Sequence, residues 1–378
     1  MGYVAVKGGT LAIEESIKRL KYERLKKGTV LDIQRIEGGM RGLIDQVMSE
    51  SSLYSKTLAA IAIKQAEGNP EEAVFLLRAY RSTLPRKHYS RTVHSEEMMM
   101  VERRISASFK DIPGGQILGA THDYTHRLID FGLAHETEAE ALQWLSDFEN
   151  EDDIDDIDLI RLPKVLDYLR NEGLMAECQS NDQQPDDVTR KSLEFPTSRS
   201  QRLQILTRGQ TGAVTSLAYA VIRGYGSLHP TVGELRVGNL PIYIDNPINL
   251  SNEEEDAYYI GDIKVTEVEM LIPVTVEKER GKKEIEFEIG YGICYGQNET
   301  KAIAMAILDN CLETGNPEYP THDEEFVLCH IDSVESTGFI SHLKMPHYVT
   351  FQSKLDSVRK TKREGNKEKK ETQEEIKV

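Results

Sequence analysis

The run KKEIEFEIGYGICYG, Lys282 to Gly296, constrains this chain more than any other stretch. Ile285, Phe287, Ile289, Tyr291, Ile293 and Tyr295 share one parity. Glu284, Glu286, Glu288, Gly290, Gly292, Cys294 and Gly296 share the other. Period two over that length predicts a strand. The second half of the glutamate–glycine face is almost bare, so another backbone or a ligand can approach it closely. The short ERGK stretch before it predicts a hairpin with the preceding strand-like run DIKVTEVEMLIPVTV. NETKAIAMAILDNCLETG follows as a helix, with Asn298 as N-cap and Gly315 just past its end. DEEFVLCHI, further on, reads as another strand.

Upstream the pattern is helical. LAIEESIKRLKYERLKKG (Leu11–Gly28) ends in basic residues and glycine, a C-terminal helix signal. Thr57–Pro85 reads as two helices broken at Gly68-Asn69-Pro70. DIPGGQILG is a loop, and helical periodicity resumes from Asp123. A short helix is expected over Leu162–Glu172, and two more between Ser198 and Gly224 with a turn at Gly209–Gly212. The run ENEDDIDDID (Glu149–Asp158) is a solvated acidic segment that suggests a boundary. The expectation is therefore an α+β chain. A mainly helical region, 1–135, precedes an acidic linker or loop, 136–158. A mixed helical and antiparallel-sheet region, 159–355, then leads to a charged tail, 356–378, whose composition predicts disorder.

The chain has 378 residues and a formal net charge of −17. That excess of carboxylates argues against coating DNA or RNA, which needs clustered lysine and arginine. It leaves room for a small anion held by a local basic pocket. The longest apolar stretch, Ala213–Ile222, is far short of the roughly 20 residues that span a bilayer. The N-terminal MGYVAVKGG lacks the layout of a signal peptide. Four dispersed cysteines, Cys178, Cys294, Cys311 and Cys329, contain no CxxC and read as reduced thiols of a cytoplasmic protein. They lack the clustered spacing of iron–sulfur ligands.

Several constellations could carry chemistry. In SHLKMPHYVTF, His342 and His347 stand five apart, with Pro346 directly before the second. Proline favours the first position of a helix, and Tyr348, Phe351, Leu355 and Val358 recur at helical spacing. A helix starting at Pro346 puts His347 in its first turn, where the dipole favours the neutral imidazole that a metal needs. The spacing suits zinc, but it also suits two hydrogen-bonded histidines in a turn. Two ligands do not close a site, and His330 or Asp323 are further candidates.

Arg199, Arg202, Arg208 and Arg223 fall within 25 residues. Each suits helix-end pairing, and together they suit a polyphosphate cradle of guanidinium forks. Gly224 and Gly226 flank Tyr225 in RGYG, where backbone N–H groups can approach an anion. Gly114 and Gly115, after Pro113, make a tight turn near Lys110 that offers a phosphate contact, although neither GxxxxGK[ST] nor GxGxxG is present there. His122 and His126 are four apart on an expected helix but lack an HExxH pattern.

ERRISASFKDIPGGQILG, THDYTHRLIDF, QPDDVTR, SRSQRLQILTRG, RGYGSLHP, GYGICYG and DEEFVLCHIDSVESTGFISHLKMPHYVTFQ occur in this order. Together they resemble the PhnI family, subunits of the bacterial carbon–phosphorus lyase core complex. The likeness weakens in the acidic 136–158 segment, around Ile242–Asp256 and in the tail. It implies that the chain, with its partner subunits, displaces the purine of ATP or GTP by an alkylphosphonate such as methylphosphonate. The products are α-D-ribose 1-methylphosphonate 5-triphosphate and the free base, and family members resemble nucleosidases when alone. The implied partners are the other core subunits, among them a radical iron–sulfur subunit, and an ATPase-like subunit. The iron–sulfur chemistry lies outside this chain, and no nucleic acid or membrane is implied. The family's SHLxxPH histidines bind zinc, which places it on His342 and His347.

Such a displacement needs a triphosphate cradle, stabilisation of oxocarbenium charge, and a proton for the leaving base. The cradle candidates are the four arginines with the two glycine turns. Asp111, Asp123 or Glu324 would supply the acid or the stabilising charge. A free-standing nucleoside triphosphate hydrolase and a non-catalytic scaffold for the radical subunit are the competing readings.

Overall fold

The computed structural model describes residues 9–108, 114–149, 162–175, 184–225, 230–248, 256–278, 281–344 and 348–375. The chain divides into two compact units, residues 33–332, and residues 1–32 with 333–378.

The larger unit is built on one four-stranded antiparallel sheet in the order β1 (Met100–Ser106), β2 (Thr231–Ile244), β3 (Tyr258–Glu277), β4 (Lys283–Tyr295). The expected hairpin is present, with Glu277 opposite Lys283 and Val265 opposite Tyr295. In the smaller unit lies α1 (Gly9–Leu25), which buries no side chain. Before the sheet come α2 (Ile33–Gly39), α3 (Arg41–Ser51), α4 (Lys56–Gln65), α5 (Pro70–Ser82) and α6 (Ser95–Met98). The break between α4 and α5 falls where glycine and proline predict it. Asn69 caps α5, its side chain accepting from Glu72 N at 2.8 Å. α7 (Glu138–Glu149) and α8 (Val165–Asn171) follow β1. α9 (Arg199–Arg208) and α10 (Thr211–Ile222) precede β2, and α11 (Glu299–Thr314) and α12 (Glu324–His330) follow β4.

The main core lies between one sheet face and α9 to α12. Leu235, Val237, Val268 and Met270 meet Leu206, Val214, Met305 and Leu308 there. The bare half of β4 explains how α11 reaches the sheet. A Cβ at Gly290 would sit 2.0 Å from Ala306 O, and one at Gly292 2.1 Å from Ala302 O. A helix backbone, not a ligand, closes on these glycines. The edge of β4 is also covered, since Asp309 of α11 accepts from Tyr291 N at 2.9 Å.

The opposite face has apolar ends and a charged middle. At one end α8 places Val165, Leu166 and Leu169 on Leu271, Phe287 and Ile289. At the other, Met99, Val101, Leu240 and Val265 pack with Ile293 and Tyr295. Between them lie buried Arg104, Glu234, Arg236, Glu267 and Glu269.

Three local expectations are corrected. DEEFVLCHI is not a strand but α12. Asp323 caps it by accepting from Phe326 N at 2.6 Å, and Glu324 and Glu325 occupy the first turn, where carboxylates suit the helix dipole. MVERRIS, inside the region 1–135 expected to be mainly helical, is strand β1; it has no apolar alternation, and the structure buries its arginines in ion pairs. His122 and His126 do not share a helix. His122–Thr125 forms a turn, with Thr125 N donating to His122 O at 3.1 Å, and Arg127 takes a positive φ of 55° that ends helical periodicity.

The smaller unit also contains α13 (Ser333–Ser341), a short 3-10 turn (His342–Lys344) and α14 (Tyr348–Glu375). Residues 356–375 of the charged tail continue α14. Those whose exposure is described lie at the surface and add nothing to a core, as their composition predicts.

Candidate active site

α9 sets the arginines. Ser198 caps it, accepting from Gln201 N at 3.2 Å, and Arg199 and Arg202 then fall three apart on one face. Both meet carboxylates. Arg199 Nη2 lies 2.7 Å from Asp309 Oδ2, and Asp309 is fully buried. Arg202, itself buried, donates to Glu324 Oε1 at 3.0 Å and also meets Glu313. Glu324 holds the chain ahead of α9 as well, because Thr197 N donates to its Oε2 at 2.8 Å. A phosphate at Arg202 would have to displace these carboxylates. Arg223 is exposed at the end of α10, followed by Gly224 at φ 111° and an exposed Tyr225. The Tyr225 carbonyl accepts from Thr321 Oγ1.

Arg208, at the other end of α9, lies on a different feature. It lines a groove of about 1310 Å³ together with Arg86, Tyr89, Arg190, Lys191 and Tyr295. Arg208 Nη1 donates to Val188 O at 3.1 Å, fixing the head group at the groove wall. Arg86 forks onto Asp187 Oδ2 at 2.7 Å and Thr189 Oγ1 at 3.0 Å. Arg190 Nη1 donates to Tyr89 Oη at 3.1 Å, and the Arg86 guanidinium lies 5.8 Å from the Tyr89 ring centroid. Partial burial opposes ionisation of Asp187, but the Thr189 donors and Arg86 outweigh it and hold that carboxyl below its ordinary value. Behind the groove, burial together with Arg78 and Arg86 lowers the Arg81 pKa. The lining thus carries five basic side chains, Arg86, Arg91, Arg190, Lys191 and Arg208, against two acidic ones, Asp186 and Asp187, with two tyrosine rings beside them.

Of the groove residues, only Arg208 stands out in the sequence. Arg86, Tyr89, Arg190 and Lys191 come from stretches about 100 residues apart. The one local signal is the Arg190-Lys191 pair directly after QPDDVT.

Asp123 forms part of an ion pair, 2.7 Å from buried Arg103 Nη2 and 3.5 Å from Arg127. Arg103 also forks onto Glu299 at 2.9 and 3.1 Å. Gly114 and Gly115 both have positive φ, 85° and 59°, as a tight turn requires. A Cβ at Gly114 would strike Leu162 at 2.7 Å. Asp111, Lys110, Gly226 and His347 lie outside the described residues.

His342 sits in the 3-10 turn after α13, its ring edge-on to Phe339 at 5.3 Å and its Nδ1 against the Phe339 carbonyl. A carbonyl only accepts, so Nδ1 donates to it. The backbone contact fixes the ring, as outer partners of metal-binding histidines do. Among the described residues no group of three or more histidine, cysteine or acidic side chains gathers as a metal set.

The charged middle of the sheet forms a second polar centre, outside every sequence expectation. Glu267 Oε1 accepts from Ser95 Oγ at 2.7 Å, Tyr291 Oη at 2.8 Å and Lys164 Nζ at 2.9 Å. Lys164 also reaches Glu269 Oε1 at 3.1 Å. Burial alone would raise the Glu267 pKa, but Arg236 and Lys164 bring it down to about 2. Glu269 receives fewer donors. Burial dominates there, and its carboxyl is pushed up to about 7. Alongside, Arg104 Nε donates to Glu234 Oε1 at 2.6 Å, and Glu234 Oε2 accepts from Val165 N at 3.1 Å, docking the start of α8.

The chain matches the family model "Bacterial phosphonate metabolism protein (PhnI)" over residues 2–365. It is 45% identical over 368 residues, 96% of each chain, to the putative C-P lyase subunit protein HtxH of Stutzerimonas stutzeri. It is 43% identical over 373 residues to the alpha-D-ribose 1-methylphosphonate 5-triphosphate synthase subunit PhnI of Escherichia coli, covering 96% of this chain and 99% of that one. The subunit of the same name from Rhizobium meliloti is 41% identical over 374 residues, covering 96% and 95%.

Proposed function

The chain belongs to the PhnI family of bacterial phosphonate metabolism proteins, and from that premise we propose that it is the nucleotide-handling subunit of a carbon–phosphorus lyase assembly. In this reading it binds ATP or GTP and lets a phosphonate oxygen attack the anomeric carbon of the ribose. The new C–O bond forms as the glycosidic C–N bond breaks, and the electron pair and a proton leave with the base. The products are the ribose 1-phosphonate 5-triphosphate and free purine. The same site acting on water is a purine nucleosidase. The partners are the remaining core subunits, including a radical iron–sulfur subunit, and an ATPase-like subunit, in the cytoplasm.

The observation that carries this reading is the basic groove, with Arg86, Arg190, Lys191 and Arg208 on one wall of an acidic protein. Guanidinium forks bind phosphate oxygens bidentately, and the ring of Tyr89 or Tyr295 gives the base or ribose an apolar contact. Arg199 and Arg202, paired with carboxylates at the opposite end of α9, and Arg223, at the far end of α10, do not line this groove. Glu324 and Asp123 are each paired with an arginine, an arrangement that suits electrostatic stabilisation.

The zinc that family resemblance implies would be held by His342, whose ring the Phe339 carbonyl orients, with His347 as its companion. When bound, zinc would act as a Lewis acid toward an oxygen ligand. This chain's own part is to hold His342 through the Phe339 carbonyl and to leave the remaining positions to substrate, water or a partner subunit.

The test is direct. The assembled complex is incubated with ATP and methylphosphonate, adenine is followed by chromatography, and the ribose phosphonate ester by phosphorus NMR. Arg208→Ala and Lys191→Ala should each weaken ATP binding about 10- to 100-fold, as expected for losing a charge-assisted contact of roughly 1.5–3 kcal/mol. Unaltered affinity removes the groove from the reading. A complete complex that releases no base leaves only a scaffolding role.

A further inference from the structure

Between β1 and α8 the chain leaves the sheet in a long excursion whose described part runs to Glu149. Its root is fixed. Gln297 Nε2 donates to Ala120 O at 3.0 Å, and buried Arg103 holds Asp123 at 2.7 Å. Beyond that root, almost every residue from 122 to 149 is exposed. This polar-looking loop nevertheless displays large apolar side chains. Leu128 is 83% exposed, Ile129 79%, Phe131 78% and Trp144 62%. On α7 the Trp144 and Phe148 rings stack at 5.1 Å, with Leu142 and Leu145 alongside. Isolated exposed leucines need no explanation, but a run of aromatic and aliphatic side chains on one tethered segment marks an interaction surface.

The charge around it selects the partner. Residues 136–149 carry Glu136, Glu138, Glu140, Asp147 and Glu149 and no lysine or arginine; Glu138 already pairs with Arg35 of α2 and Glu140 with Thr137. An apolar centre with a rim of one sign matches a surface of the opposite sign. A second copy of this segment would bring five carboxylates against five, so self-association is disfavoured by like charge.

We propose that residues 124–149 dock another protein subunit of the proposed assembly, through an apolar surface on that subunit rimmed by lysine or arginine. The inference rests on the assembly reading but not on the groove chemistry. Trp144 inserts into the partner's apolar surface while Glu136, Asp147 and Glu149 pair with its rim. The fixed root keeps the segment in one orientation, which lowers the entropy lost on docking.

Trp144 is the one tryptophan of the chain, and partner tryptophans can be replaced by phenylalanine, so its fluorescence reports this surface alone. In the assembled complex, its emission should shift to shorter wavelength and acrylamide quenching should fall at least threefold relative to the isolated chain. Leu128→Asp with Phe131→Asp should weaken assembly at least tenfold by analytical ultracentrifugation. Their exposure predicts unchanged circular dichroism. Glu136→Lys with Glu149→Lys should weaken it too and reduce its salt dependence. Unchanged quenching of Trp144 in a complex shown intact by native mass spectrometry overturns the proposal, while base release by that same complex still answers the functional question separately. Protection that appears in the isolated chain with rising concentration, with nothing added by partner subunits, assigns the surface to a second copy and also overturns it.

Discussion

Arg236 Nη2 lies 2.5 Å from Glu267 Oε2, and each side chain is only 2% exposed. Breaking such a pair from one side leaves a buried charge without compensation, a loss of about 3–5 kcal/mol. Glu267→Ala should lower the free energy of unfolding by that amount, read as a lower urea midpoint at unchanged m-value, because Lys164 and Arg236 would both lose their main counter-ion. Arg236→Met combined with Glu267→Leu should cost much less than the sum of the single changes. An unchanged midpoint for Glu267→Ala would show that the pair contributes nothing to stability.

Glu269, two residues along the same strand, predicts a pH dependence of opposite sign to that of its neighbour. Its folded pKa is raised from 4.5 to about 7, so between those values the native state binds more protons than the unfolded chain. Stability from this residue is therefore present at low pH and is lost as pH rises toward 7. Glu269→Gln should unfold at a higher urea concentration than the parent at pH 8 and at a similar one at pH 5. Glu267, held at about 2, does the reverse, its contribution disappearing only as pH falls below 4.5 toward 2. Parallel unfolding curves for parent and Glu269→Gln at both pH values would contradict the assignment.

Gly290→Ala tests the seat of α11. The new methyl meets the Ala306 carbonyl at 2.0 Å, so helix and strand must separate or the strand must bend. Overpacking of this kind typically costs about 1–3 kcal/mol, and a backbone obstacle places it at the upper end. Gly315→Ala is a milder control, since a Cβ there meets nothing within 4 Å and only the positive φ of 62° is strained. A Gly290→Ala melting temperature equal to that of Gly315→Ala would mean the helix adjusts without cost.

For the histidine turn, the expected outcome is that purified complex contains zinc and that His342→Ala lowers its amount. Phe339→Ala should leave zinc binding largely intact, because the backbone carbonyl, not the ring, orients Nδ1. Elemental analysis decides the matter, and equal zinc in parent and His342→Ala removes this residue from the metal set.

Elements with local causes were legible in the sequence. The β3–β4 hairpin, the helix from Glu299, the Gly68-Asn69-Pro70 break and the turn between α9 and α10 all follow from spacing, caps and glycine, which act within a few residues. The seven residues of α12 were not, because a short apolar run fits either period and only the Asp323 cap separates them. Nor was β1, since hydropathy places Arg103 and Arg104 in water while Glu299 and Glu234 draw them inside. At the candidate site the arginine cluster of α9 was visible, but its division of labour was not. Arg202 faces Glu324 from 122 residues away, while Arg208 joins Arg86 and Arg190 at the groove. What the sequence by itself determined was the elements with local caps and turns and the cluster of arginines around α9, both properties of short stretches. Which charges neutralise one another inside and which line the groove was decided only by the tertiary structure, because Coulomb pairing depends on distance in space, which chain separation does not report.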